Sequence, residues 1–569
     1  MNAFFQKGLL PVLAALTLGA CAAADRPGAD ATNDARFDWF VYEGRDAVYE
    51  QTPPGPGTYA NPILAGFYPD PSITRAGDDY YLVTSSFSYF PGVPIFRSRD
   101  LVNWTQIGHV LDRPSQLSID SLGISRGVFA PTIRHHEGTF YMITTLVDAG
   151  GNFLVTATDP AGPWSDPVWL PFDGIDPDVF FDDDGKVYIS NNGPPEGEPR
   201  YDGHRALWLQ EYDPAAQQLI GPRRLIVDGG VDISKQPIWI EAPHLFKIDD
   251  TYYLIAAEGG TGDQHSQVVF RSDSVWGPYV PYEGNPILTQ RHLDPARPSP
   301  VTSAGHADFV QLPGGEWWAV FLATRPYEGD FYNTGRETFL LPVRWVDGWP
   351  VVLAGEETVP YVHPRPDLPA QPAPPVPTSG NFTHREDFDG AELAPYWTFI
   401  RTPRERWYDL TTEPGWLTIA ARPVALDAFA QPSFVGRRQQ HARFAASTAM
   451  RFDPSQPGDR AGLAAFQNDR YHYFLGVALE DGAPVVRVEQ QAGEGPATVL
   501  ASAPIELAAE APVYLKIEAD GDAYDFYYGL APDAWTLLVD DADGKILSTR
   551  VAGGFVGAMI GMYAYGERP

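Results

Sequence analysis

Asp70, Asp176 and Glu241 stand at the same point of a repeated sequence pattern, and chemistry is first visible in that coincidence. Each opens a short strand-like stretch that leads to an aromatic in a second one. Asp70 to Tyr81 is eleven residues, and Asp176 to Tyr188 and Glu241 to Tyr253 are twelve. Phe129 to Tyr141 and His306 to Trp318 repeat the twelve-residue step, so five positions share one register. Carboxylates that converge can divide proton transfer between them, one kept protonated as an acid and one ionised as a base, because neighbours push their proton affinities apart. Taken singly, each acid has a plainer reading, since Asp before Pro starts many turns. Three carboxylates at one repeat position favour the chemical reading. Asp178, on the same strand face as Asp176 by a period of two, is the weaker candidate. Asp182-Asp183-Asp184-Gly185 reads as a solvated hairpin turn.

The elements that must position these residues are strands. Residues 77–86 (GDDYYLVTSS), 137–145 (EGTFYMITT), 184–192 (DGKVYISNN), 249–257 (DDTYYLIAA) and 314–322 (GGEWWAVFL) each join a turn to aromatics and an apolar run. Starts recur 47 to 65 residues apart, enough for a four-stranded blade with variable outer loops. No helical period is sustained. The pattern predicts an all-β chain beginning with a five-bladed β-propeller, with a repetitive β-sandwich as the alternative. The innermost strands of a propeller line one channel, so positions 70, 129, 176, 241 and 306 would meet there. Charges gathered on an axis repel and are costly to desolvate, which stability alone would not select.

Composition bounds the partners. Aromatics at 13% with 54 Gly and 55 Pro suit turn-rich β architecture. A formal charge of −33 excludes nucleic acid, whose phosphates need basic surfaces, and disfavours anionic polysaccharides, whereas a neutral glycan meets no such penalty. The acidity also serves plain solubility. Lys7 precedes an apolar stretch over residues 8–20 that ends in Leu18-Gly19-Ala20-Cys21. This reads as a lipoprotein signal peptide and lipobox over residues 1–21, with lipidation at Cys21, the only cysteine. An ordinary signal peptide with an incidental cysteine is the alternative. The expectation is an exported protein, lipid-anchored at the bacterial cell envelope, at the outer membrane or the periplasmic face. Residues 22–59 would be a tether and 60–360 the propeller. A Pro-rich linker would cover residues 361–384, since residues 360–378 hold eight prolines, and a β-sandwich would fill 385–569. Alternation over 446–452 and 513–519, and a Gly-punctuated apolar run over 553–565, read as sandwich strands.

From about residue 59 to 364 the chain resembles glycoside hydrolase family 43, the five-bladed propellers that include β-xylosidases, α-L-arabinofuranosidases and arabinanases. Asn61-Pro62-Ile63 and Gly66-Phe67-Tyr68-Pro69-Asp70-Pro71 are similar to the segment carrying the family's general base. Gly174-Ile175-Asp176-Pro177 is similar to the one carrying its third carboxylate, and Glu241-Ala242-Pro243-His244 to the general-acid motif. Gly305-His306 and Gly335-Arg336-Glu337-Thr338 match two further signatures. Ser86-Phe87 with Phe90-Pro91-Gly92-Val93-Pro94 resembles the xylosidase branch, where Phe87 would line the sugar pocket. Phe129-Ala130-Pro131 stands where many xylosidases of the family have Trp-Ala-Pro. The segments 401–419 and 432–440 resemble the family's C-terminal concanavalin-like (jelly-roll) domain, which either lends an aromatic loop that closes over the pocket, with Phe429 the candidate, or serves only as a stabilising partner.

The resemblance implies inverting hydrolysis, with Asp70 as base, Glu241 as acid about 6.5–9.5 Å away to leave room for water, and Asp176 raising and orienting Glu241. Arg336 would hold sugar hydroxyls or an acidic neighbour, or else brace Glu337. Phe129 and His306 would join the sugar contacts. His306 could also orient Asp70, ligate a structural calcium with waters, or be a satisfied core histidine. No cofactor is required. The expected substrates are neutral xylo- or arabino-oligosaccharides. The expected activity is exo-acting release of xylose, L-arabinose or both from non-reducing ends of hemicellulose oligosaccharides. The enzymatic alternative is predominantly an α-L-arabinofuranosidase or an arabinanase. The non-enzymatic one is a surface glycan-binding lipoprotein, which would have no use for an acid and a base in register. A retaining fructosidase-type propeller is disfavoured because its Asn-Asp-Pro-Asn-Gly block is absent.

Overall fold

A computed structural model describes residues 34–508 and 511–567; Cys21 and its preceding apolar stretch lie outside the described residues. The turn–aromatic–apolar segments form antiparallel hairpins, five in succession. Their inner strands are Ser72–Ala76, Thr132–His136, Ile175–Phe181, Glu241–Ile248 and Thr302–Gln311, and further strands step outward from each. The inner strands touch in cyclic order, the fifth against the first, which makes a five-bladed propeller. Apolar faces of adjacent blades pack on each other: Ile73, Leu82 and Phe96 of the first meet Val310, Trp318 and Val320 of the fifth. The ring is closed by Thr58–Ala60 pairing with Val362–Pro364, and by a bridge between Leu64 and Thr338.

One side chain joins all five inner strands. Arg134, from the second blade, places its guanidinium 2.7 Å from Asp308 of the fifth and 3.1 Å from Asp178 of the third. It also lies 3.0 Å from His244 Nδ1 of the fourth and 3.3 Å from Ser72 Oγ of the first. Ser72 Oγ and the Ile73 amide donate to Asp308 at 2.7 and 3.0 Å, and the Leu245 amide donates to Asp178 at 3.2 Å. Both carboxylate side chains are fully buried. Burial raises the Asp308 carboxyl, but Arg134, His244 and Ser72 together outweigh it and hold the group below its ordinary range.

The second unit is a sandwich of two sheets, and it draws on more of the chain than its C-terminal portion. Ala35–Gly44 is an interior strand of one sheet, paired antiparallel with Arg443–Arg451 across a bulge between Phe37 and Trp39, and flanked by Leu417–Ile419 and Phe382–Glu386. Phe37, Phe40 and Tyr42 are all buried, the bulge resetting the period of two between Phe37 and Phe40. The expected tether over 22–59 is therefore corrected: its residues 35–44 are structural, because the apolar side chains of Phe37, Phe40 and Tyr42 need a core. The Pro-rich stretch is corrected likewise, since Val362–Pro364 closes the propeller and Phe382–Glu386 is a sandwich strand. Tyr89–Phe90, from a propeller loop, extends the other sheet by pairing with Thr398–Ile400. Buried Arg325 welds the parts together, donating to Asp46 at 2.7 Å, to both oxygens of Glu337 at 2.6 and 2.9 Å, and to the Gln440 carbonyl at 3.0 Å.

Removing the axial guanidinium leaves two buried carboxylates without their countercharge. Arg134→Met should cost about 3–5 kcal/mol of stability. Denaturant unfolding followed by fluorescence checks this, and a midpoint equal to that of the unsubstituted protein would contradict the axial role.

Candidate active site

The starts of the inner strands are not regular. Pairing slips between Ile175 and Asp178, between Glu241 and His244, and between Gly305 and Asp308. Asp70, Asp176 and His306 lie in the left-handed region, at φ 56°, 53° and 51°, and in the fourth blade Ala242 does so at φ 49°. A bulge re-aims the side chains around it, and Asp accepts a left-handed backbone more readily than most residues. The bulge also splits Asp176 from Asp178, which simple alternation puts on one face. Asp176 lines the pocket, whereas Asp178 turns to Arg134.

Asp70, Asp176, Glu241, Phe87, Phe129, His306 and Arg336 all line one pocket of about 400 Å³. Asp70 is 5% exposed and accepts from Ser85 Oγ at 2.5 Å and from Arg336 Nη1 at 3.0 Å. Burial raises its proton affinity, but Arg336, His306 and Ser85 together outweigh that and hold the carboxyl below its usual range. Burial and the Asp70 charge instead push Glu241 up to about 7. Asp176 is raised well above the ordinary range by burial, then by Glu241 and Asp70, while the Ala242 amide works the other way. The site thus holds an ionised carboxylate beside a closely coupled pair that retains a proton near neutrality. Arg336 serves Asp70 and Thr261 Oγ1, the latter at 2.8 Å, while Glu337 pairs with Arg325; bracing of Glu337 by Arg336 is therefore not what the structure shows.

Burial pushes the His306 ring down to about 3, so it is neutral, and its Nδ1 lies 3.6 Å from Asp70 Oδ1. Its surroundings are a carboxylate already bound to Arg336, and the imidazoles of His244 and His265. That donor set does not by itself suit a hard oxygen-seeking cation, and among the described residues no cluster of three or more His, Cys, Asp or Glu is set to hold a metal.

The aromatic wall differs from expectation in one residue. Phe87 and Phe129 meet edge to face at 5.6 Å, and the third ring is Phe555, 6.2 Å from Phe87 and 5.7 Å from Phe129. Phe429 is not in this wall. It is 55% exposed, lies 5.2 Å from the Arg401 guanidinium, and borders a separate cleft with Asn468 and Tyr471. Residues 553–558 precede the strand Met559–Tyr565, so the first part of the apolar run read as a strand is a loop. Gly335 and Gly557 let it approach: a Cβ on Gly335 would lie 2.7 Å from the Gly557 nitrogen. The Ser125 hydroxyl then accepts from the Phe555 amide at 2.9 Å, and the ring lies 5.4 Å from the Arg336 guanidinium. Ser85, Thr261, Arg126, Arg205 and Trp239 were also missed. None stands at the repeated position, although the Gly-punctuated run could have flagged Phe555.

A propeller whose channel carries one low-affinity and two raised carboxyls beside a wall of three phenylalanine rings has the site of a glycan-cleaving hydrolase. The sequence profile of glycosyl hydrolases family 43 matches residues 59–350, and that of the beta xylosidase C-terminal concanavalin A-like domain matches residues 385–569. The chain belongs to glycoside hydrolase family 43. It is 42% identical to a xylosidase/arabinosidase of Butyrivibrio fibrisolvens, over 89% of this chain and 95% of the relative. It is 39% identical to a non-reducing end alpha-L-arabinofuranosidase of Bacteroides ovatus, over 90% and 92% of the two chains. A crystal structure of a GH43_12 protein from a capybara gut metagenome superposes with a TM-score of 0.87 at 41% identity, covering 94% of this chain and all of the other.

The charges give a pH profile. For hydrolysis, kcat/KM should fall on the alkaline side with a pKa near 7, as the Glu241 pair loses its proton. On the acid side it should fall only below the ordinary carboxylate range, where Asp70 takes one up. Asp176 is raised by the Glu241 charge, and Glu241 by burial and Asp70, so Asp176 keeps its proton as Glu241 ionises. Asp176→Asn should therefore lower kcat while leaving the alkaline limb in place; a limb that moves to lower pH would show that Asp176 carries a charge beside the acid.

Proposed function

We propose that the protein is an exo-acting, inverting hydrolase that releases xylose, L-arabinose or both from the non-reducing ends of neutral hemicellulose oligosaccharides. The observation that carries this is the small pocket in which Asp70 and Glu241 have opposite proton affinities and Phe555 closes one side. A terminal sugar fits a pocket, whereas a mid-chain cut needs an open groove. The relatives bearing xylosidase, arabinosidase and non-reducing end arabinofuranosidase names support the same choice of sugars.

In this mechanism Glu241 gives its proton to the glycosidic oxygen as the bond to the anomeric carbon breaks. Asp70 takes a proton from the water that attacks the opposite face, so the anomeric configuration inverts. Arg336 keeps Asp70 ionised and oriented, burial and the Asp70 charge keep Glu241 protonated until the bond is ready to break, and Asp176, itself raised, stands beside the acid to orient it. Phe87, Phe129 and Phe555 exclude water from the apolar face of the sugar. The aromatic rings of the pocket and the chain's charge of −33 suit an uncharged substrate. The chemistry needs no cofactor, and a calcium near His306 would be structural and held through waters.

The segment ending in Leu18-Gly19-Ala20-Cys21 supports export and lipid anchoring at the cell envelope. Through Cys21 the enzyme would work at a membrane surface on soluble oligosaccharides.

Glu241→Ala should nearly abolish turnover of oligosaccharides but retain much more on aryl glycosides with acidic phenols, which leave without a proton. Equal loss on both would remove Glu241 as the acid. Proton NMR of the first-formed sugar should show the inverted anomer, and a retained one contradicts attack by water. Cys21→Ser should shift the protein from the membrane to the soluble fraction of the producing cell; unchanged partition contradicts the anchor.

A further inference from the structure

Trp239 stands two residues before Glu241, and the acid–base chemistry above leaves it without a task. Its φ is 51°, a left-handed conformation that a bulky residue adopts only when its surroundings impose it. The surroundings are specific. The Trp239 amide donates to the Gly203 carbonyl at 2.9 Å, the Gly259 amide donates to the Ile238 carbonyl at 2.8 Å, and the Tyr201 hydroxyl donates to the Pro237 carbonyl at 2.8 Å. A Cβ on Gly203 would lie 2.8 Å from the Ile238 side chain, so only glycine lets the third-blade loop support this turn so closely.

The indole is held from beneath as well. The Arg205 guanidinium lies 4.8 Å from the ring centre. Its Nε and Nη2 donate to Asn192 Oδ1 at 3.1 and 2.8 Å, and Asn192 Nδ2 donates to the Ile240 carbonyl at 2.5 Å. Ile240 is the residue between Trp239 and Glu241, so ring, cation and acid share one scaffold. Yet the indole, so tightly fixed, is 38% exposed. It lines two spaces at once: the pocket of the three carboxylates, and an open cleft of about 540 Å³ bordered by Arg200, Tyr201, His204 and Arg205.

Depth fixes which part of a substrate reaches it. Asp70 is 5% exposed on the floor, Glu241 is half-buried above it, and Trp239 stands at the rim. An acid must lie beside the oxygen it protonates, so the sugar to be released sits below Glu241 and the leaving group above it. We propose that Trp239 is the platform for the leaving-group sugar. The C–H face of a neutral pyranose ring lies on the indole, whose electron-rich face attracts C–H edges, and the rest of the oligosaccharide continues into the cleft past Tyr201 and His204. Arg205 is a positioning residue that holds the ring at its angle to Glu241. The platform extends the function proposed above and rests on it.

The test compares the unsubstituted enzyme, Trp239→Ala and Trp239→Phe on two substrates with the same released sugar. One is a xylo- or arabino-oligosaccharide, and the other is the methyl glycoside, which has no ring to lie on the platform. Trp239→Ala should lower the oligosaccharide-to-methyl ratio of kcat/KM by about tenfold or more, mainly through KM. Trp239→Phe, which keeps a ring over Arg205, should lower it less, and it supplies the answer should Trp239→Ala fail to fold. A ratio unchanged in the folded variant overturns the platform while leaving the hydrolase intact. Failure of the unsubstituted enzyme to cleave either substrate overturns the function itself.

Discussion

The pocket depends on one largely buried guanidinium. Arg134 contacts side chains from the other four inner strands, and the two carboxylates it neutralises are sealed from water. Such a cluster contributes little net stability compared with an apolar core, but it tolerates few other arrangements, because any slip of a blade strands a charge. Specifying the relative heights of five strands is what a site built from five strand starts requires. The catalytic carboxylates stand just above this cluster, two residues away in the third blade, so the same element serves both layers.

Within the pocket, placement of a single cation creates the asymmetry between base and acid. All three carboxyls are desolvated, and burial alone would raise all three. Arg336 reaches Asp70 directly and Glu241 only at a distance, so one carboxyl falls below the ordinary range while the other is held near 7. Phe555 lies against the same guanidinium and limits its access to water. The sandwich therefore shapes the electrostatics of the propeller's site as well as its walls.

Much of this was legible from residue order. The equal spacing from strand start to hairpin aromatic revealed the blades and, through them, the convergence of Asp70, Asp176, Glu241, Phe129 and His306. Arg336 and Phe87 were found by resemblance to family motifs, and both line the pocket. Features without a period stayed hidden. The different tasks of Asp176 and Asp178 arise from a bulge, which alternation cannot register. In residues 35–44 a bulge breaks the period of two, their partners lie some four hundred positions away, and nearby Gly and Pro suggested a tether. Phe429 was a reasonable aromatic on the correct domain. Choosing Phe555 needed the close approach of Gly335 and Gly557, a three-dimensional fact.

The interleaving of the two units has a consequence for assembly. The strand Ala35–Gly44 is the first of the described strands in chain order, and its partner Arg443–Arg451 follows the whole propeller. Phe555, which completes the sugar-facing wall, comes later still. A nascent or prematurely ended chain could build blades and gather its carboxylates, yet its pocket would stay open to water on one side. The order of synthesis thus acts as a check on completeness, because hydrolytic competence arrives only with the last strands of the fold.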